Sequence, residues 1–221
     1  MPDPIAFPWP EIIPALTLAT VAVLALVISD FLDWRPGRYL FKPLAAIAFL
    51  WMAMTLGPMD SSYGKWLLAG LLLCALGDLL LMFEPEAAFL AGLVAFLSGH
   101  LLYMVAFAQL PTNLMGLAFS LLPAAVLVAG CWRWLRPHLH GPMAVAVPAY
   151  ILVIAGMLVL AGSTAGQMGA TLVIAGAWGF ALSDLAVARR QFVKVSRWNG
   201  VWGTPLYFGS QLLLAASVAY L

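Results

Sequence analysis

The chain has 221 residues, of which 64% are hydrophobic and only 9% charged, with a formal net charge of +1 at neutral pH. Water-facing domains carry roughly 25% charged residues, so this composition excludes a soluble globular protein. The near-neutral balance also excludes the basic face that nucleic-acid binding needs.

The opening "MPDPIAFPWPEIIP" lacks a basic n-region and reads as an extended interfacial arm rather than a cleaved leader. A membrane-crossing helix needs about 20 mostly apolar residues, and segments of that kind follow at 13–31, 42–58, 65–83, 87–108, 114–134, 142–162, 167–188 and 203–221. The second opens on Lys42. The third ends in "GDLLLMF", which sets Asp78 about five residues, or roughly 7–8 Å, inside its end. The fourth carries His100 near mid-membrane, with Tyr103 three residues on and on the same face. The fifth is followed by His138 and His140. The seventh holds Ser183 and Asp184, the latter at a depth similar to Asp78, and the eighth holds Tyr207 and Gln211. Cys74 and Cys131 fall inside apolar runs and read as packing residues rather than a disulfide.

The predicted fold is therefore all-α: a polytopic bundle of eight transmembrane helices forming one integral membrane domain over 1–221. Trp34, Trp66, Trp132, Trp134, Trp198 and Trp202 cluster at the segment ends, as an interfacial aromatic belt does. Arg35, Arg38, Lys42, Arg133, Arg136, Arg189, Arg190, Lys194 and Arg197 lie in or beside odd-numbered connections, and Lys65 alone falls on the other face. The positive-inside rule places that basic face in the cytoplasm, which puts both termini outside. The halves 1–110 and 111–221 also resemble each other. "GDLLLMF" matches "SDLAVARRQF", and "SGHLLYMVAF" matches "GSQLLLAASV". An even number of intervening helices makes such copies parallel four-helix repeats.

Intramembrane carboxylates cost roughly 2.5–3.5 kcal/mol to insert and are functional candidates by default. Asp78, Asp184, His100, Tyr103, Tyr207, Gln211 and Lys42 come from separate helices, yet all lie towards the cytoplasmic leaflet, where one polar pocket could satisfy them. Structural readings stand beside the functional one. Either Asp can pair with Lys42 or a helix terminus, and Lys42 can snorkel to the interface. His100 can be a hydrogen-bonded packing residue, Tyr103 and Gln211 can bond between helices, and Ser183 can fold back on its own helix. No Cys/His/carboxylate set stands at metal-ligand spacing, although His100 with both Asp could form a facial triad. A G-x-S-x-G elbow, a P-loop and an H-E-x-x-H motif are all missing. Two carboxylates from different helices suit acid–base hydrolysis through an oxocarbenium ion, one protonated as acid and one ionised.

Along nearly its whole length the chain resembles the YhhN-type lysoplasmalogenase family. The matching features are "KPL" at 42–44, "GDLLLMF" at 77–83, F-x-x-G-x-x-x-F-x-x-x-H-x-x-Y over 89–103, Tyr150, F-x-x-SD over 180–184, and "PLYFGSQLL" at 205–213. The resemblance implies a membrane hydrolase that cleaves the vinyl-ether bond of a lysoplasmalogen to a fatty aldehyde and glycerophosphoethanolamine or glycerophosphocholine. It implies no metal or organic cofactor, and a lysophospholipid from the cytoplasmic membrane as partner. Asp78, Asp184 and His100 are the expected catalytic residues. Lys42, Tyr103, Tyr150, Tyr207 and Gln211 are the expected substrate-binding residues. A small-solute or proton-coupled transporter is the alternative, because it too places carboxylates on separate helices. An intramembrane aspartyl protease is a third reading, disfavoured by the surroundings of both Asp. Headgroup and chain-length preference and oligomeric state stay open.

Overall fold

Inside hydrocarbon every backbone N–H and C=O must find a partner within the chain, and long apolar runs meet this by coiling into helices. The computed structural model describes residues 7–83 and 85–221. Its helices are α1 (Trp9–Phe31), α2 (Arg35–Thr55), α3 (Ser62–Leu80), α4 (Glu86–Phe107), α5 (Leu114–Leu135), α6 (Met143–Ser163), α7 (Ala170–Ala188) and α8 (Trp198–Ser217). Among the described residues the only other regular structure is short 3-10 turns and a π turn, Arg189–Val193, that ends α7. Six helices, namely α1 and α3 to α7, are long and apolar enough to cross a membrane, so the chain is an integral multi-pass membrane protein.

Some helix ends differ from expectation. Trp9 already begins α1, so the proposed arm is limited to residues ahead of it, of which 1–6 lie outside the described residues. Arg35 rather than Lys42 begins α2, with Pro36 in its first turn, where a fixed φ and a missing N–H suit a helix start. Arg35 and Arg38 are therefore helical, not part of a connection. Arg38 bridges back to Asp30, 2.9 Å away, and to Asp33 in the turn between α1 and α2. Trp198 begins α8, five residues before the expected start. Leu80 ends α3, so Asp78 stands in its last turn.

Adjacent helices pair as hairpins: α1 with α2, α3 with α4, α5 with α6, and α7 with α8. Second-to-third packing occurs in both halves, as α2 on α3 and α6 on α7. The fourth helix of each half crosses to the second helix of the other, as α4 on α6 and α8 on α2. Besides α7 and α2, α8 also packs on α1 and α3, whereas α5 packs chiefly on α6. Cys74 and Cys131 are free thiols, both buried.

Small residues let α3 and α4 close on each other beside His100 and Tyr103. A Cβ on Gly99 would stand 2.7 Å from Cys74 Sγ and 3.3 Å from the Gly70 carbonyl. Gly99→Ala is expected to lower stability by about 1–3 kcal/mol, the usual cost of overpacking, seen as a lower midpoint in thermal unfolding in detergent. An unchanged midpoint would show that the α3–α4 contact yields freely.

The expected orientation is checkable at two exposed positions, Met59 and Val195. In a background with Cys74 and Cys131 replaced by Ala, a membrane-impermeant maleimide should label Met59→Cys in intact cells. Val195→Cys should react only after the membrane is opened. The opposite pattern would invert the topology.

Candidate active site

Asp78 sits where a carboxylate is least welcome, in the last turn of α3 at the negative end of the helix dipole. Two donors from other helices compensate. Lys42 Nζ of α2 stands 3.2 Å from Oδ1, and the Tyr207 hydroxyl of α8 donates to Oδ2 at 2.6 Å. The Asp78 side chain is 3% exposed and that of Lys42 21%, so the lysine side chain reaches the surface and the carboxylate is buried. Both carboxylate oxygens are occupied. This is the ion pair that the structural reading of Lys42 anticipated, completed by a tyrosine.

Asp184 on α7 has a different set of partners. The Tyr150 hydroxyl of α6 donates to its Oδ2 at 3.0 Å. His100 Nε2 of α4 faces the same oxygen at 3.6 Å, just beyond hydrogen-bond range. The other ring nitrogen, Nδ1, lies 2.7 Å from the Phe96 carbonyl, one turn back on α4. A carbonyl oxygen can only accept, so Nδ1 carries a proton. No hydrogen bond is found for Asp184 Oδ1 among the described residues, and this side chain is 17% exposed.

A third pair joins α4 to α8, with the Tyr103 hydroxyl donating to Gln211 Oε1 at 2.6 Å. Tyr207 and Gln211 are four residues apart and share a face of α8, so one helix face serves both the Asp78 cluster and the Tyr103 pair. Two deeply buried atoms here have no hydrogen-bond partner, His100 Nε2 and Gln211 Nε2. A buried polar group left unpaired costs about 1–3 kcal/mol, so a further hydrogen-bonding group at either atom would be stabilising.

The polar residues singled out in the sequence thus gather as two carboxylate clusters and a tyrosine–glutamine pair, not as one shared pocket. Phe180 stands among them. It stacks on His100 with ring centroids 4.1 Å apart, and it touches the rings of Tyr207, Tyr103 and Phe96 at 5.5, 6.2 and 6.2 Å. No convergent set of three or more His, Cys, Asp or Glu occurs among the described residues, so His100 and the two Asp do not form a triad. Ser183 Oγ bonds the Phe180 carbonyl of its own helix. Phe180 escaped the residue-by-residue reading because it looks like any other apolar helix residue. Its spacing of four from Asp184, which puts both on one face of α7, was the available signal.

The sequence model of the YhhN family matches residues 37–218. The chain is 35% identical to lysoplasmalogenase TMEM86B of Sus scrofa over 156 residues, which is 69% of this chain and 63% of that protein, under two thirds of its length. It is 26% identical to lysoplasmalogenase TMEM86A of Bos taurus over 216 residues, 94% of this chain and 88% of the relative. To lysoplasmalogenase TMEM86B of Homo sapiens it is 32% identical over 195 residues, 86% and 77% of the two chains. No solved structure gives a significant match. With a match running from α2 to the end of α8, the chain belongs to the YhhN family.

Proposed function

We propose that this protein hydrolyses the vinyl-ether bond of lysoplasmalogens, releasing a fatty aldehyde and glycerophosphoethanolamine or glycerophosphocholine. The observation that carries this reading is the unpartnered pair of buried atoms, His100 Nε2 and Gln211 Nε2, in a bundle that also holds two carboxylates. The names of the relatives point the same way. A single-chain lipid enters from the cytoplasmic leaflet and lays its first tail carbons among these groups. The Lys42 ammonium has three donors, of which Asp78 takes one. The others remain for the headgroup phosphate, on the side where Lys42 reaches the surface.

In this reading Asp78 and Asp184 divide acid and charge-stabilising work across an oxocarbenium-like transition state. Tyr150 and Tyr207 orient the carboxylates, and the Tyr103–Gln211 pair turns its free amide N–H towards substrate or water. The two halves of the chain act as parallel copies, each contributing one Asp from its third helix.

Purified protein in detergent should release aldehyde from a 1-alkenyl lysophospholipid and leave the saturated alkyl-ether analogue intact. Asp78→Asn and Asp184→Asn should each lower turnover by about 100-fold or more, the usual loss when a general acid or its partner is removed. Near-wild-type turnover in either variant would overturn the pair. Solute flux in proteoliposomes without chemical change in the lipid would favour the transporter instead.

A further inference from the structure

The two carboxylates are not equivalent, and their partners say which one can deliver a proton. Asp78 accepts from an ammonium on one oxygen and a phenol on the other, and its side chain is 3% exposed. Protonating it would remove the ion pair with Lys42 and leave that ammonium without its carboxylate partner. Asp184 has no cation beside it among the described residues other than what His100 can become. Its Oδ2 is held by the Tyr150 hydroxyl, while Oδ1 is free of hydrogen bonds and the side chain is partly exposed.

His100 completes the assignment. Because Nδ1–H is committed to the Phe96 carbonyl, Nε2 of a neutral ring presents a lone pair to Asp184 Oδ2. A lone pair facing an ionised carboxylate at 3.6 Å is repulsive, and the contact becomes favourable once one proton resides on the pair. We propose that Asp184 and His100 hold one proton between them at Oδ2 and Nε2, that the Asp184 carboxyl turns about its Cβ–Cγ bond to carry the protonated oxygen away from His100 and deliver the proton to the substrate, and that Asp78, locked to Lys42 and Tyr207, stays ionised throughout the cycle. Asp184 is then the catalytic acid and His100 a positioning residue that acts through it. The donor role rests on the hydrolase reading above, whereas the placement of the proton is a property of the resting protein.

The chemistry balances without any oxidant or reductant. Proton transfer from Asp184 forms a C–H bond at the β-carbon of the alkenyl chain as the C=C π pair moves to carbon. The ether oxygen's lone pair closes a C=O bond to the α-carbon, giving the oxocarbenium ion, and Asp184 becomes a carboxylate. Water attacks the α-carbon and returns its proton to Asp184, which leaves a hemiacetal. Breaking the bond to the glycerol oxygen, with the hemiacetal hydroxyl proton passing to that oxygen, yields aldehyde and alcohol and restores the starting state.

Infrared difference spectroscopy tests the placement on the resting protein, since a protonated buried carboxyl has a C=O stretch distinct from a carboxylate and shifted in D2O. The wild type should show this band. Asp184→Asn should abolish it, and Asp78→Asn should retain it. If Asp78→Asn folds poorly because Lys42 is stranded, the double variant Asp78→Asn with Lys42→Met replaces it and should show the band. His100→Phe should shift the band, whereas His100→Gln, which restores a polar partner, should bring it back towards its original position. Loss of the band with Asp78→Asn and its survival in Asp184→Asn would overturn the proposal, as would a wild type that lacks it. Aldehyde release is scored separately. A wild type that shows the band but leaves lysoplasmalogen uncleaved would overturn the hydrolase reading, and the donor role with it.

Discussion

A full charge cannot be left alone in hydrocarbon, and the Lys42–Asp78 pair is where this chain meets that constraint. Satisfying it with Tyr207 as a second donor fixes α2, α3 and α8 against one another at a single point. Removing Lys42 alone costs roughly 3–5 kcal/mol, because the Asp78 charge stays buried. That asymmetry sets the rotation of three helices far more sharply than apolar packing can, since lipid tails compete on equal terms with Leu and Val for any greasy surface. The central position of α8 follows from it: the helix that donates to Asp78 also packs on α1, α2, α3 and α7.

The second carboxylate is held by weaker and more adjustable partners, a tyrosine hydroxyl and an imidazole edge. One cluster is saturated with donors and the other is left with a free oxygen and an unpartnered nitrogen. In the packing of the bundle each cluster also draws on the opposite half of the chain. Asp78 of α3 is reached by α8, and Asp184 of α7 is reached by α4. Neither half could therefore assemble its cluster by itself.

Hydropathy made the helices legible in the sequence, because the cost of exposing backbone or charge to lipid leaves a coarse mark on composition. Asp78, Asp184, His100, Tyr103, Tyr207 and Gln211 stood out for the same reason, as polar residues in apolar runs. Two things were not legible. The start of α2 was hidden because Arg35 and Arg38 look like connection residues, whereas Asp30 and Asp33 neutralise Arg38 and let the helix begin earlier. The choice of partners was hidden as well, because it depends on how each helix is rotated about its axis. Spacing shows that Tyr207 and Gln211 share a face. It does not say that one answers Asp78 and the other Tyr103.

Phe180 has the widest reach of any residue described above, although it has no polar atom in its side chain. Its ring lies against His100 from one cluster, Tyr207 from the other and Tyr103 from the third pair, so it is a common wall for all three. Close-packed interiors transmit displacement rather than absorb it. A change of size or tilt at this ring is therefore felt at both carboxylates at once, and substitutions on its two sides cannot be energetically independent. The two clusters share no hydrogen bond, yet they are coupled through a hydrocarbon contact. The tolerance of either to change is set by a residue that takes no part in its chemistry.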